Sequence, residues 1–197
     1  FFCVLVMKLI NLAIALTFIT ACYCQANPTG IAWPKAWNAT ITVTMGDVVI
    51  GAPATSYYDS TVSMQATFFT QCATAGGIVN LEPCVQVQSS VEGNFGIWTI
   101  QGDSCCVNFN NVGFLAPEWP TTMDFINYQD VFGQSAIHFS GGGDKHDYYV
   151  TNDEFQIPLF VGPEEWTWPS GWLVGEQPDV FSDLMPISAC NSTCVAA

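Results

Sequence analysis

Residues 37 to 45 read Trp37-Asn38-Ala39-Thr40-Ile41-Thr42-Val43-Thr44-Met45, with an apolar side chain at every odd position and a polar one between. A period of two held over nine residues belongs to a β-strand with one face against a core and the other toward water. The alternation returns downstream, where Val62, Met64, Ala66 and Phe68 are interleaved with Thr61, Ser63, Gln65 and Thr67. Working outward, runs rich in β-branched and aromatic residues predict further strands over 78–88, 95–101, 105–109, 134–140, 148–151, 155–161 and 172–175. Turn formers separate them, among them Gly51-Ala52-Pro53, Gly76-Gly77, Gly102-Asp103, Gly141-Gly142-Gly143-Asp144 and Gly162-Pro163. No helical periodicity persists for three turns, so helices are expected to be few and short, with 121–128 the candidate. About nine strands without repeat or linker point to a single all-β domain, a barrel or a strongly curved antiparallel sheet.

The composition narrows what such a domain can do. The 197 residues carry 17 acidic side chains and 3 lysines, with no arginine, for a formal charge of −14. Affinity for nucleic acid comes largely from Lys and Arg displacing counterions, so that partner is excluded, as is a polybasic dock on an anionic membrane. A charged fraction of 10% and an aromatic fraction of 14% argue for a folded chain rather than a disordered one.

The N-terminal end reads as targeting sequence. Met7-Lys8 precedes an uncharged apolar run over 9–21, and small residues follow at Cys24 and Ala26. That is the pattern of a secretory signal peptide over 7–26, too short to span a bilayer, with 1–6 as an upstream extension. A single secreted domain over 27–197 is expected, extracellular or lumenal, with no membrane span. It keeps six cysteines, Cys72, Cys84, Cys105, Cys106, Cys190 and Cys194. An even number in an oxidising compartment reads as three disulfides, with 15 formal connectivities. The adjacent Cys105 and Cys106 point to opposite faces of a strand and should tie two different parts of the chain to it. Zinc is disfavoured, because there is no C-x-x-C pair and His138 and His146 lie at no ligand spacing from any cysteine. Sequons at Asn38 and Asn191 are compatible with glycosylation of a secreted surface.

Several short motifs together resemble the ependymin-related proteins. Tyr57-Tyr58-Asp59 precedes the second alternating strand, and Cys105-Cys106 follows Trp98-Thr99-Ile100. The tail runs Gly175-Glu176-Gln177-Pro178-Asp179-Val180-Phe181, then Pro186, Cys190 and Cys194. Two features of the family are absent: a cysteine near the mature N-terminus, and one before a mid-chain proline, where this chain has Gln156-Ile157-Pro158. The resemblance implies two facing antiparallel sheets, a half-open barrel or sandwich, enclosing an apolar cleft for a lipid-like ligand. It also implies that Cys190 bonds one of Cys105 and Cys106 and that Cys194 bonds Cys84, which leaves Cys72 for the other member of the adjacent pair.

Candidate site residues follow from chemistry. The aromatic content suits an aromatic-lined pocket. Strand residues Phe95, Trp98, Phe109 and Ile137 are assigned to packed core. Trp166, Trp168 and Trp172 are spaced by Pro169, Ser170 and Gly171, which reads as a loop forming a rim or lid over the cleft. Calcium is the candidate cofactor. Asp144 and Asp147 lie in a glycine-rich loop and Asp153 and Glu154 across a possible hairpin, which offers the oxygen ligands that Ca²⁺ takes. No catalytic residue is assigned. A Ser140–His138–Asp144 arrangement lacks the G-x-S-x-G elbow, and the adjacent carboxylates of Glu164-Glu165 and Asp153-Glu154 suit a solvated edge. The expected function is a secreted, disulfide-bonded, non-enzymatic binding protein for a hydrophobic small molecule or lipid. The alternatives are a carbohydrate-active or lectin-like module and an extracellular-matrix interaction protein without a small ligand.

Overall fold

The computed structural model describes residues 3–5, 22–24, 26–45, 48–73, 79–80, 82–91, 94–110, 112, 114–141, 146–162, 166–175, 179–190 and 192–194. Most of the expected leader and extension lies outside them; of that region, Cys3–Leu5 runs antiparallel to Cys22–Cys24, apart from the main sheet. The strands of that sheet are β1 (Ala36–Met45), β2 (Val48–Asp59), β3 (Met64–Phe69), β4 (Cys84–Val91), β5 (Asn94–Gln101), β6 (Ser104–Asn110), β7 (Met123–Val131), β8 (Gln134–Gly141), β9 (His146–Thr151), β10 (Pro158–Val161), β11 (Trp166–Val174) and β12 (Ser192–Thr193). Their spatial order is β7-β8-β9-β10-β11-β1-β2-β3-β4-β5-β6-β12. Each neighbouring pair is antiparallel except β6 with β12. The chain thus enters mid-sheet at β1, meanders to one edge, and returns from the other edge until β11 lies against β1. The outermost strands β7 and β12 are not joined, so no barrel closes. Helix among the described residues is limited to single 3-10 turns at Trp119–Thr122 and Ile187–Ala189.

The two halves of this sheet bury opposite faces. Register links Tyr148 to Val161, Val161 to Trp166 and Trp166 to Val43, so these positions share one face. On it, Trp37, Ala39, Ile41 and Val43 of β1 meet Ala54 and Tyr58 of β2, Ile137 and Phe139 of β8, and Tyr148 and Val150 of β9 in one buried cluster. Trp37 stacks on Tyr58 at 5.1 Å and on Trp172 at 4.5 Å between ring centroids. Two straps cover the cluster. The first brings in Trp33, whose indole N–H donates to the Tyr148 hydroxyl at 2.8 Å. The second brings in Phe114, stacked on Tyr58 at 5.1 Å, and Trp119, 5.3 Å from Tyr148. The straps hold each other, since the backbone N–H of Trp33 donates to the Pro117 carbonyl at 2.8 Å. On the same face this core ends between β2 and β3, where Ser56 of β2 and Thr67 and Gln65 of β3 are buried and bonded, Ser56 to Thr67 at 3.0 Å and Gln65 to Ser56 at 3.1 Å.

From β3 onward burial passes to the other face, at Ala66, Val87, Ser89 and Trp98. The C-terminal segment covers it. Trp98 donates from its indole nitrogen to the Met185 carbonyl at 2.9 Å, and Ile187 packs over Gly96, where an added Cβ would stand 2.9 Å from the Ile187 Cδ1. This segment then wraps the sheet edge. Cys105 and Cys106, on opposite faces of β6, bond Cys190 and Cys194, which flank β12. Cys72 bonds Cys84.

The three bridges among six cysteines are as the sequence implies, and Cys190 does take one of the adjacent pair. The other two pairings differ from expectation: Cys194 bonds Cys106 rather than Cys84, and Cys72 closes a short local loop with Cys84. Cys105 and Cys106 bind one segment, not two, because that segment passes from one face of the edge strand to the other. The expected helix over 121–128 is also replaced, by the 3-10 turn at Trp119–Thr122 followed by β7. Phe95 and Phe109, expected in the core, are 42% and 58% exposed. Phe95 lies on the uncovered face of β5, and Phe109 follows a register shift in β6.

Candidate functional site

On the face opposite the aromatic cluster, one row of side chains crosses five strands. Thr40 stands opposite Thr55, Thr55 opposite Phe68, Phe68 opposite Val85, and Val85 opposite Ile100. Each is half-buried. Strand neighbours lie ~4.8 Å apart, so the row is about 19 Å long. It forms the floor of an open groove of about 880 Å³, with Pro53, Phe69, Thr70 and Pro83 along one side. Register carries the row one step further, from Ile100 to Cys105, where the Cys105–Cys190 bridge stands. The Cys72–Cys84 bridge borders the groove at Cys84. Among the described residues no lining side chain carries a charge, in a chain with 17 acidic residues. Polar character is limited to threonine hydroxyls, and that of Thr70 donates to the Pro53 carbonyl at 3.3 Å. The volume falls within the range of small-molecule sites, and the lining can offer dispersion and desolvation together with a few hydroxyls.

The residues singled out by sequence are distributed otherwise. Trp166, Trp168 and Trp172 belong to β11, a strand and not a loop. Pro169 and Gly171 fall where the pairing of β11 with β1 shifts register, between Thr167 and Ser170 and between Ser170 and Leu173, so the turn formers mark bulges instead of an end. Trp172 is a half-buried wall of the aromatic cluster and lines a second, smaller hollow of about 350 Å³ together with Glu154.

Of the four acids offered to calcium, the three that are described form no metal-holding group. Asp144 lies outside the described residues. Asp147 is at the start of β9 and Asp153 just beyond its end, so that about 13 Å of strand lies between them. Asp153 accepts from the Thr151 hydroxyl at 2.9 Å and from the backbone N–H groups of Phe155 and Gln156 at 2.9 and 3.0 Å, which fixes the turn after β9. Among the described residues no group of three His, Cys, Asp or Glu side chains could hold a metal ion. Asn38 is half-buried within β1, between β11 and β2, and Asn191 is outside the described residues.

His138 pairs with Asp147 at 2.8 Å and stacks on Tyr149 at 4.3 Å. Tyr149 is held above the usual phenol range by burial and then by the Asp147 charge, with a Gln129 hydrogen bond opposing. Among the described residues no hydroxyl is hydrogen-bonded to His138.

Sequence reasoning missed the groove because its lining lies across the sheet. Thr55 and Pro53 sit in β2, where Gly51-Ala52-Pro53 reads as a turn, and only the register of five strands aligns Thr40 with Ile100.

No family model and no curated protein matches this chain. Among solved structures, the chain is similar to the crystal structure of an uncharacterized conserved protein from Thermus thermophilus. The two are 10% identical, with a TM-score of 0.49, and the match covers 80% of this chain and 89% of that one. No helix among the described residues is long and apolar enough to cross a membrane.

Proposed function

We propose that this protein is a secreted, disulfide-bonded binding protein for a hydrophobic or lipid-like ligand, which lies in the groove over Thr40, Thr55, Phe68, Val85 and Ile100. The observation that carries the reading is that row: five registered, uncharged side chains flooring a groove of about 880 Å³ on a strongly acidic molecule. A charged or strongly hydrated group would find no partner on this floor and would have to stay in water, whereas an acyl chain or fused-ring body would bury apolar area against Phe68, Val85 and Ile100. In this reading the open sheet is a half-open barrel, the N-terminal run over 7–26 is a cleaved signal peptide, and the three bridges serve in an oxidising compartment. The motifs around Tyr57-Tyr58-Asp59, Cys105-Cys106 and the C-terminal cysteines support a kinship with the ependymin-related proteins.

The test is titration of the oxidised protein with an environment-sensitive apolar probe. One probe per chain should bind and be displaced by a fatty acid. Val85→Asp puts a carboxylate in the middle of the row and should weaken binding at least tenfold, since an unpaired charge in an apolar site is costly. Val62→Asp, at an exposed turn, should not. Equal binding by wild type and Val85→Asp, with both folded, removes the groove as the site.

A further inference from the structure

The smaller hollow lies on the opposite side of the sheet from the groove and shares no residue with it. Its walls come from three separate parts of the chain: the first strap with Trp33 and Pro34, the turn after β9 with Glu154 and Phe155 that leads into Pro158 of β10, and Trp172 of β11. The strap is tied to the turn by one side chain. Gln156 donates from its amide to the Thr29 carbonyl at 3.0 Å and accepts from the Ile31 N–H at 3.1 Å. Its backbone takes a φ of +44°, sparsely populated for a residue that is not glycine, which the Asp153 carboxylate holds through the Gln156 N–H. The hollow is thus a built feature, with its two walls locked together.

Its chemistry differs from that of the groove. Two indoles, a phenylalanine ring that is 67% exposed and two prolines surround about 350 Å³, and among the described residues the charged side chain at the wall is a carboxylate, Glu154. No ion pair links Glu154 to a cation among the described residues, and the whole chain has only three lysines against 17 acids. Aromatic faces attract cations through their quadrupole, and a carboxylate beside them adds direct attraction. A neutral apolar ligand would gain nothing from Glu154, and an anion would be repelled by it and by the surrounding field.

We propose that this hollow is a second binding site, for a small hydrophobic cation: a protonated amine or quaternary ammonium carried on an aromatic or aliphatic body. The apolar body packs between Trp33, Trp172 and Phe155, and the cation lies toward Glu154. The site is independent of the groove.

Calorimetry on the oxidised protein with phenethylamine and with 2-phenylethanol, the same ring without the cation, tests this. Phenethylamine should saturate at one equivalent and bind about tenfold more tightly than the alcohol, the gain expected of one cation–aromatic contact plus one exposed ion pair. Glu154→Gln should bring the amine down to the level of the alcohol and leave the apolar probe in the groove unaffected. Phe155→Ala, at an exposed position, should weaken both phenyl ligands. The proposal is overturned if amine and alcohol bind equally, if neither saturates, or if Glu154→Gln leaves the difference intact. It is equally overturned if Asp183→Asn, an exposed acid elsewhere, lowers amine binding as much as Glu154→Gln, because the effect would then belong to the general surface charge.

Discussion

The two bridges at the sheet edge should fail together, not separately. Cys105–Cys190 spans 85 residues and Cys106–Cys194 spans 88, so each alone closes a long loop. In the chain-entropy model a loop of that length is worth about 4.6 kcal/mol at 25 °C. With one bridge present, however, the other joins ends already held together, and the loop left to close contains about six residues, worth about 2 kcal/mol. Replacing Cys105 and Cys190 by alanine should therefore cost about 2 kcal/mol, and replacing Cys106 and Cys194 the same. Replacing all four should cost about 7 kcal/mol, most of an ordinary domain's stability. The twofold variants should give cooperative guanidinium melts with lowered midpoints, whereas the fourfold variant should lose its β signal in circular dichroism without denaturant. Cys72–Cys84 closes a separate loop of 12 residues, and its removal should add about 3 kcal/mol to either twofold variant. If a single edge bridge costs about 4.6 kcal/mol alone, or the fourfold loss equals the sum of the two, the bridges do not close one shared loop and the wrapped-edge reasoning is wrong.

Three further outcomes follow from local geometry. Phe132 and Gly133 form the two-residue turn between β7 and β8 with φ of +54° and +76°, and Phe132 is 67% exposed, so Phe132→Asn should raise stability by about 1 kcal/mol in a thermal melt. Tyr58 and Tyr148 are held neutral well above the ordinary phenol value of 10.0, by burial first; for Tyr58 nearby carboxylates add to this. The folded state resists an ionisation that the unfolded chain undergoes, so their contribution is full below pH 10 and is lost above it. Phenolate absorbance should show these two tyrosines ionising only with unfolding; free titration of every tyrosine in the folded protein would contradict this. Gly30 packs against the carbonyl of Pro120, where the straps cross, so Gly30→Ala should cost about 2 kcal/mol by the same melts, and an unchanged midpoint would mean that the crossing gives way freely.

The alternation that opens β1 was enough to predict an all-β fold, because Trp37, Ala39, Ile41 and Val43 are buried to within a few per cent and their polar neighbours are not. Where the reading failed, a bulge had broken the phase. In β7 the register shifts between Phe125 and Asn127, so the ring positions fall at 125 and 128, a spacing of three that imitates a helix. In β11, Pro169 and Gly171 occupy the shifts and read as a loop. In β2, Gly51 and Pro53 read as a turn although the register shifts of β1 against β2 accommodate them. The site was less legible than the fold for a related reason. Trp172 and Glu154 were both singled out, one for an apolar rim and the other for a metal, and only the turn after β9 brings them to one hollow. Phe68 and Val85 carried no signal beyond strand composition, since a groove floor is defined by cross-strand register, which one sequence does not print.

The most direct test of the central claim is photo-crosslinking of a diazirine-bearing fatty acid to the oxidised protein, followed by peptide mapping. Labelling should be stoichiometric and concentrated on β3, β4 and β5, at and beside Phe68, Val85 and Ile100, and unlabelled fatty acid should suppress it. Label spread over the surface, or gathered on Trp33 and Trp172 while the groove stays clean, would contradict the assignment of the groove as the ligand site.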